Sequence, residues 1–369
     1  MRSFQISIPD DVIHDLRARL SRTRLLPDSP RRPEAGLTAE YLRELVESWV
    51  DFDWRSQERA LNENPQFIAE IDGTELHFVH LPADRPDAPA LLVMHGWPHT
   101  FALQLEFARS LPDFHVVLPS MPGFGFSAPF DGTLSERVMA DLMHGLMTQV
   151  LAYPHYLTYG EDISANVSDL IAASHPEAVL GILATHAHFG TTEERDVLDD
   201  PEAQEFFAAL AASGGPDGAY AHIQATRPDT LAVGLNDSPA GLLAWLVEKL
   251  VEWSDTPTAQ PELLERRISR DRILTEATIY WATQSIATSF RPYFDGGDDA
   301  RIPPVEVPAA VAIQRHERDY PESLARAYYR DLRSFDRMPE GGHFAVAEVP
   351  QQMADRMRGF AQGLGLLTV

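Results

Sequence analysis

Residues 156–164 read Tyr-Leu-Thr-Tyr-Gly-Glu-Asp-Ile-Ser, and they carry the chain from an apolar, strand-like run into a helical pattern. A reactive side chain at such a tight turn needs small residues two positions before it and two positions after it. Gly160 and Ser164 supply them around Asp162. A turn centred on Ser164 would put Asp162 where a small residue is required, which disfavours a serine nucleophile. The motif predicts Asp162 as a nucleophile, with helix capping as the alternative role.

Short apolar runs on both sides of this turn predict a sheet. Such runs are typical of buried parallel strands, and they occupy residues 90–94, 114–119, 156–159, 179–184 and 307–313, after a first short strand predicted at residues 75–80. Helical patterns alternate with them, which implies right-handed crossovers and a doubly wound, mostly parallel sheet. The predicted fold class is therefore α/β, with ligands bound at the carboxyl ends of the strands.

Two further regions are predicted beside this core. Residues 1–74 carry helical patterns separated by proline-rich turns and are expected to form an N-terminal meander. Residues 189–303 lack a comparable strand run and are rich in Ala, Leu and Trp, which indicates an inserted helical lid. The core is then made of two parts, 75–188 and 304–369, and its last helix is predicted over residues 347–364.

The composition excludes several classes of function. The 30 basic and 55 acidic residues give a formal charge of −25, which repels phosphate backbones and anionic membrane surfaces, so neither nucleic acid nor a membrane is an expected partner. The absence of cysteine removes disulfides and thiol nucleophiles and agrees with a cytoplasmic location. Residues 1–20 lack the apolar run of a signal peptide or a membrane span. The oligomeric state is left open between a monomer and a homodimer.

Two other loops carry candidate catalytic groups. The segment His-Gly-Trp-Pro at residues 95–98 directly follows a predicted strand. The backbone N–H of Trp97 is therefore predicted to form an oxyanion hole with the backbone N–H of Ile163. His343 lies in the glycine-containing loop 340–344, before the last helix, and is the predicted general base.

An acid is needed to orient this histidine. The order nucleophile, acid, histidine is that of α/β-hydrolases, so the acid is expected just after the last predicted strand. Glu317 fits this position best, and Asp319 is a rival two residues further on. The pair His186 and His188 lacks a clear third ligand for a metal site, and no cofactor is expected.

Further segments follow a recognisable family pattern. In the N-terminal region they are residues 4–9, 16–20, 53–55, 61–62, 66–67 and 71–73. In the lid region they are residues 218–224, 227–230, 235–242 and 289–293. Over nearly its whole length the chain resembles the epoxide hydrolases of the microsomal and juvenile-hormone type.

The resemblance implies an α/β-hydrolase fold with a meander and a lid, and hydrolysis of a small-molecule epoxide by water without a cofactor. By this likeness Asp162 takes the nucleophile position, and Glu317 with His343 takes the charge-relay positions. Tyr220 and Tyr293 take the positions that open the epoxide ring. Phenols can donate hydrogen bonds to the leaving oxygen without being charged at neutral pH.

The resemblance also implies a role in bacterial secondary metabolism or epoxide detoxification. Because no hydrophobic anchor precedes the meander, a soluble bacterial-type member is expected. Large lid residues favour an apolar substrate, although the same residues suit packing between lid helices; they are Phe206, Phe207, Trp245, Leu246 and Trp253.

Two positions depart from the family pattern. Ile163 stands where relatives often carry Trp, and residues 314–317 read Gln-Arg-His-Glu without the usual Phe-Pro lead. Haloalkane dehalogenases also use an Asp nucleophile on this fold, but they hold the halide with a Trp directly after it. Dehalogenation is therefore the enzymatic alternative that Ile163 disfavours. A catalytically silent binding protein of the same fold is the non-enzyme alternative.

Overall fold

A computed structural model of the chain describes residues 1–29, 36–188, 198–212, 218–296, 302–315 and 319–368. The described residues form one sheet whose strands are β1 (Arg2–Phe4), β2 (Gln66–Ile71), β3 (Thr74–Leu81), β4 (Ala90–Met94), β5 (His115–Pro119), β6 (Tyr156–Gly160), β7 (Val179–Ala184), β8 (Val305–Ile313) and β9 (Tyr329–Arg337). Their order across the sheet is β1-β2-β3-β5-β4-β6-β7-β8-β9. The pairings from β5 to β9 are parallel, and those among β1, β2, β3 and β5 are antiparallel. The predicted doubly wound, mostly parallel sheet is confirmed.

Helices connect these strands. In chain order they are α1 (Asp10–Leu20), α2 (Ala39–Val50), α3 (Trp54–Asn62), α4 (Phe101–Arg109), α5 (Glu136–Gly145), α6 (Ile163–Ser174), α7 (Pro201–Ala212), α8 (Ala219–Thr226), α9 (Pro228–Asp237), α10 (Pro239–Trp253), α11 (Arg270–Thr283), α12 (Ile286–Ser289), α13 (Arg291–Asp295), α14 (Glu322–Tyr328), α15 (Ala345–Glu348) and α16 (Pro350–Gly363). A π-helical turn, Leu146–Val150, continues α5, and a 3₁₀-helix covers Pro261–Arg266. No described helix is both long and apolar enough to cross a membrane.

The predicted strands agree with the observed ones to within two residues at each end. The edge strands β1 and β9 and the N-terminal strand β2 were not predicted. β9 is missed because its residues are mostly polar and largely exposed at the sheet edge, which removes the apolar signal of a buried strand. The final helix begins later than predicted, since Pro350 separates α15 from α16 and the residue before a proline disfavours helical geometry.

The N-terminal segment packs against the helical region that follows β7. Three residues spaced for one face of α1 are all buried, namely Ile13, Leu16 and Leu20. The indole Nε1 of Trp49 in α2 donates to Thr278 Oγ1 in α11 at 2.9 Å. Arg19 donates to the carboxylate of Asp237 at the end of α9, at 2.7 Å. The N-terminal segment thus helps to hold the helices above the sheet.

The described residues between 198 and 296 contain helices and connecting loops, in agreement with a helical lid. The lid begins directly after β7, at the carboxyl ends of the central parallel strands β4, β6 and β7. The boundaries 1–74, 75–188, 189–303 and 304–369 stay a prediction. This arrangement covers the sheet edge at which an α/β protein binds its ligand.

Candidate active site

Asp162 lies at the turn between β6 and α6, with a backbone φ of +54°. Non-glycine residues seldom adopt this conformation, and such strain is characteristic of functional turns. The turn leaves no space for larger neighbours. A Cβ atom on Gly160 would lie 1.9 Å from the carbonyl oxygen of Ser164, and one on Gly96 would lie 2.4 Å from the Cβ of Asp162.

Two backbone amides bind the carboxylate of Asp162. The N–H of Trp97 donates to Oδ1 at 3.1 Å, and the N–H of Ile163 also donates to the carboxylate. Burial opposes ionisation of this group, but the hydrogen bond and charge of His343 and the Ile163 amide outweigh it. The pKa of Asp162 is therefore lowered. A carboxylate in this setting is ionised, and one of its oxygens already accepts a hydrogen bond from the Trp97 amide.

His343 faces the second oxygen of the same carboxylate. Its Nε2 lies 3.4 Å from Asp162 Oδ2. Its backbone N–H donates to the carbonyl oxygen of Trp253 at the end of α10, at 2.8 Å, and the ring of Trp253 packs beside it with centroids 5.0 Å apart. The imidazole thus lies between the nucleophile candidate and the lid.

The other ring nitrogen of His343 lies 3.0 Å from the Nε2 of His186, which follows β7. Gln314 Nε2 lies 3.1 Å from the same His186 nitrogen. Glu317, the predicted acid, lies outside the described residues. Its rival Asp319 is exposed, which argues against a role that needs a charge buried beside an imidazole.

The two histidines considered as a metal pair lie in different environments. His186 contacts His343, whereas His188 stacks on the ring of Tyr328 with centroids 3.7 Å apart. In the described part of the chain no group of three or more His, Cys, Asp or Glu residues could hold a metal ion.

Two lid tyrosines converge on the nucleophile candidate. Tyr220, in α8, stacks on Trp97 with ring centroids 5.3 Å apart and planes at 13°. Tyr293, in α13, meets the same indole edge-on, and the rings of the two tyrosines lie 5.8 Å apart between centroids. Burial, and next the charge of Asp162, raise the pKa of both phenols above the usual value. Both are therefore protonated at neutral pH and can act as donors.

A second buried carboxylate stands directly before the nucleophile candidate, and the sequence analysis did not single it out. Glu161 is fully buried and accepts hydrogen bonds from His99 Nε2 at 3.1 Å and from Tyr159 OH at 2.9 Å. It also accepts from the side-chain amide of Gln104 at 3.4 Å and the backbone N–H of Val346 at 3.2 Å. Although burial opposes it, the hydrogen bond and charge of His99 lower the pKa of Glu161.

This network joins three loops. His99 belongs to the loop that carries the Trp97 amide, and Val346 follows His343. The signal in the sequence was a further ionisable residue beside each of the two predicted turns, Glu161 and His99. Such residues indicate a buried ion pair or hydrogen-bond network, since an isolated buried charge is costly.

The loop that carries His343 rests against the end of α10. Glu348 accepts hydrogen bonds from the backbone N–H of Asp255 at 2.8 Å and of Phe344 at 3.2 Å. Gly342 lies so close to the lid that an added Cβ would come within 2.5 Å of the Asp255 nitrogen. The position of the candidate base is therefore set jointly by the core and the lid.

Known proteins are similar to this chain in sequence and in architecture. Residues 1–104 match the family model described as "Epoxide hydrolase N terminus". Epoxide hydrolase 1 of Sus scrofa is 32% identical, over 100% of this chain and 89% of that protein. The juvenile hormone epoxide hydrolase of the silkworm Bombyx mori gives a TM-score of 0.84 at 27% identity, covering 99% of this chain and 94% of that one. Aspergillus niger epoxide hydrolase gives 0.82 at 26% identity, covering 98% and 96%.

Proposed function

The chain belongs to the epoxide hydrolase family, and from this premise we propose that Asp162 opens the epoxide through a covalent ester that His343 then helps water to hydrolyse. The family predicted from the sequence is confirmed, and with it the activity: the protein is an epoxide hydrolase that acts on a small-molecule epoxide and water. The roles of individual residues in the following paragraphs are our proposal.

In the first half-reaction, Asp162 Oδ2 forms a bond to an epoxide carbon while the carbon–oxygen bond of the ring breaks. The bonding electron pair goes to the epoxide oxygen, which takes a proton from the phenol pair Tyr220 and Tyr293. The products are a hydroxyalkyl ester on Asp162 and one tyrosinate. A neutral phenol is suited to this task because it donates without attracting the carboxylate away from the epoxide.

In the second half-reaction, His343 takes a proton from water, and the resulting hydroxide attacks the ester carbonyl carbon. The negative charge forms on Oδ1, which the amides of Trp97 and Ile163 stabilise. Collapse expels the diol oxygen, which takes the proton from His343. The proton of the new carboxyl group returns to the tyrosinate, so that every group regains its starting state. Glu317 is the acid that we assign to orienting His343.

The arrangement of the two carboxylate oxygens of Asp162 is the observation that carries this proposal. Oδ1 accepts from Trp97 at 3.1 Å, whereas Oδ2 lies 3.4 Å from His343. One oxygen thus accepts a hydrogen bond from an oxyanion-hole donor, and the other is left to react. Phe290 and Trp253 lie against Trp97, at 6.3 Å and 6.2 Å between ring centroids, and favour an apolar or aromatic epoxide.

The two half-reactions can be separated by substitution. Asp162→Asn is expected to abolish the ester, because an amide is a poor nucleophile, while His343→Ala is expected to let the ester accumulate, because water is no longer activated. Each half-reaction should slow by roughly a thousandfold or more, as for residues of a catalytic triad. Mass spectrometry of the Asp162 peptide after mixing with styrene oxide measures both effects.

Oxygen-18 water supplies the decisive control. In a single turnover of the unaltered enzyme, the diol should be unlabelled and the label should enter the Asp162 peptide. Labelled diol with an unlabelled peptide would mean that water attacks the epoxide directly, and this result would overturn the ester mechanism. Sustained turnover by Asp162→Asn without deamidation would overturn it as well.

A further inference from the structure

Lys249 brings a buried positive charge against one of the two ring-opening phenols. It lies in α10, and its side chain is only 6% exposed. The ammonium nitrogen stands 5.2 Å from the ring centroid of Tyr220 and 5.9 Å from that of Trp253. Both distances are within the range of cation–π interactions, which are stronger at desolvated sites.

The ammonium is held in its charged form. Burial alone would lower the pKa of Lys249, but hydrogen bonds from its nitrogen to Glu252 at 2.6 Å and Glu248 at 2.9 Å outweigh this effect and raise it. The two carboxylates are 40% and 28% exposed. Water screens their charges more than it screens the ammonium, which lies directly against the Tyr220 ring.

Two features around Tyr220 disfavour negative charge on its phenol, and the neighbouring phenol of Tyr293 opposes them only in part. Burial is the largest of these effects, and the carboxylate of Asp162 adds to it. In ring opening, however, Tyr220 gives a proton or a strong hydrogen bond to the epoxide oxygen and gains negative charge that spreads into its ring. A cation over the ring stabilises this charged form more than the neutral phenol, and such a difference lowers an activation barrier.

We propose that Lys249 is a positioning residue for the first half-reaction, whose ammonium acts through the ring of Tyr220 to stabilise the charge that forms on this phenol as the epoxide opens. The inference rests on the proposed function, because it requires Tyr220 to donate to the epoxide oxygen. Lys249 transfers no proton and touches no reacting atom. The second half-reaction does not charge Tyr220 further, so it should not depend on Lys249.

A purely structural role would predict a different pattern. Lys249 also forms ion pairs with Glu248 and Glu252, which belong to the same helix. Loss of these pairs would loosen α10, whose end also supports His343, and both half-reactions would then slow together. Slower ester formation with unchanged ester hydrolysis would therefore indicate action through Tyr220, whereas slowing of both rates would indicate structural support of the lid.

The test is a single turnover of styrene oxide with excess enzyme, quenched at intervals, in which mass spectrometry follows formation and decay of the Asp162 ester. Lys249→Met should slow ester formation about tenfold, equivalent to about 1.4 kcal/mol, and leave ester decay unchanged. Lys249→Arg keeps a cation over the ring and should restore most of the rate. Glu177→Gln changes an exposed carboxylate outside α10, and is the control that should leave both rates unchanged.

Two double variants, in which Lys249→Met is combined with Tyr220→Phe or with Tyr293→Phe, show through which tyrosine Lys249 affects ester formation. Lys249→Met should have no additional effect on ester formation in Tyr220→Phe, and its full effect in Tyr293→Phe. Equal slowing of both half-reactions, or a full effect in the Tyr220→Phe background, would overturn the inference. Normal ester formation by Tyr220→Phe would instead overturn the role of Tyr220, and no ester in the unaltered enzyme would overturn that of Asp162. Circular dichroism checks folding, and Lys249→Gln replaces the Met variant should that one not fold.

Discussion

At the scale of single residues, two features of the surroundings of Asp162 matter, namely the free space around its turn and the hydrogen-bond donors to its carboxylate. Glycines at 96 and 160 remove the side chains that would collide with the turn, and two amides bind the carboxylate. Behind it, Glu161 uses both oxygens to join the oxyanion loop to the loop of the base. The small residues Gly160 and Ser164 were enough to predict the turn at Asp162 from the sequence alone, because a tight turn requires small residues at these two positions.

Substitution of Glu161 by Gln tests the importance of this second carboxylate. The amide keeps the size of the side chain but loses the charge that accepts from His99 and Val346, so one bond must be lost or weakened. The free energy of unfolding should fall by about 1–3 kcal/mol, and turnover should fall as the oxyanion loop shifts. Urea unfolding measures the first effect. Glu177→Gln is the control at an exposed carboxylate, and an equal, negligible loss in both variants would contradict a role for the buried network.

The candidate reactive residues could be predicted from the sequence more fully than the residues that surround and position them. Asp162, His343, Tyr220 and Tyr293 lie together in the structure, although their roles stay predictions, as does that of Glu317. The two tyrosines came from the resemblance rather than from a physical pattern, because a lone Tyr in a helix is equally suited to packing. Lys249 was not predicted, since it becomes unusual only when folding brings its ammonium over the ring of Tyr220.

At the scale of secondary-structure elements, the sheet could be predicted because its central strands are continuously apolar. β4 and β7 agree with their predicted ends, whereas β1 and β9 lie at the sheet edges and lack such runs. The joint between the end of α10 and the loop before α15 could not be predicted. It depends on contacts between residues about 90 positions apart, such as the backbone hydrogen bond from the His343 N–H to the Trp253 carbonyl oxygen, and backbone atoms leave no residue-type pattern.

Gly342→Ala tests this joint. The new methyl group would come within 2.5 Å of backbone atoms at Trp253 and Asp255, which cannot move aside as a flexible side chain would. The loop must then shift His343, so ester hydrolysis should slow by about tenfold or more, since small displacements of catalytic groups are costly. Single-turnover decay of the Asp162 ester measures the effect.

The matched control for this substitution is Gly359→Ala. Gly359 lies within α16, and an added Cβ meets no atom within 4 Å. Alanine favours a helix by about 0.8–1.0 kcal/mol over glycine, so this variant should unfold at a slightly higher temperature and keep its activity. Equal ester decay in both variants would show that the joint does not position His343.

At the scale of the whole molecule, a protein with a formal charge of −25 still buries carboxyl groups. Glu276 in α11 is 2% exposed, and burial raises its pKa to about 8 despite a hydrogen bond from Thr100. Arg272 lies near enough to oppose the shift, and Glu276 in turn raises the pKa of the buried Tyr280. At neutral pH the folded protein therefore keeps this carboxyl group protonated, while the unfolded chain does not.

The stability of the protein should depend on pH through this group. The folded state binds a proton at Glu276 more tightly than the unfolded state, whose pKa is near 4.5. Its contribution to the free energy of unfolding is full below pH 4.5 and is lost as pH rises toward about 8, by at most about 1.4 kcal/mol per pH unit. Urea titrations at several pH values should show this slope in the unaltered protein and a flatter one in Glu276→Gln. If the free energy of unfolding had the same pH dependence in both proteins, Glu276 would not be the group responsible.

The hydrogen bond from His343 to Trp253 has a consequence for building hybrids between related enzymes. A lid transplanted from a relative would arrive with its own version of residues 253–255, while the recipient would keep its own 340–348. Since these two segments fit each other atom by atom across the joint, a crossover that separates them should yield folded hybrids that form the ester but release it slowly. Shuffling experiments will therefore succeed when both segments are inherited from one parent.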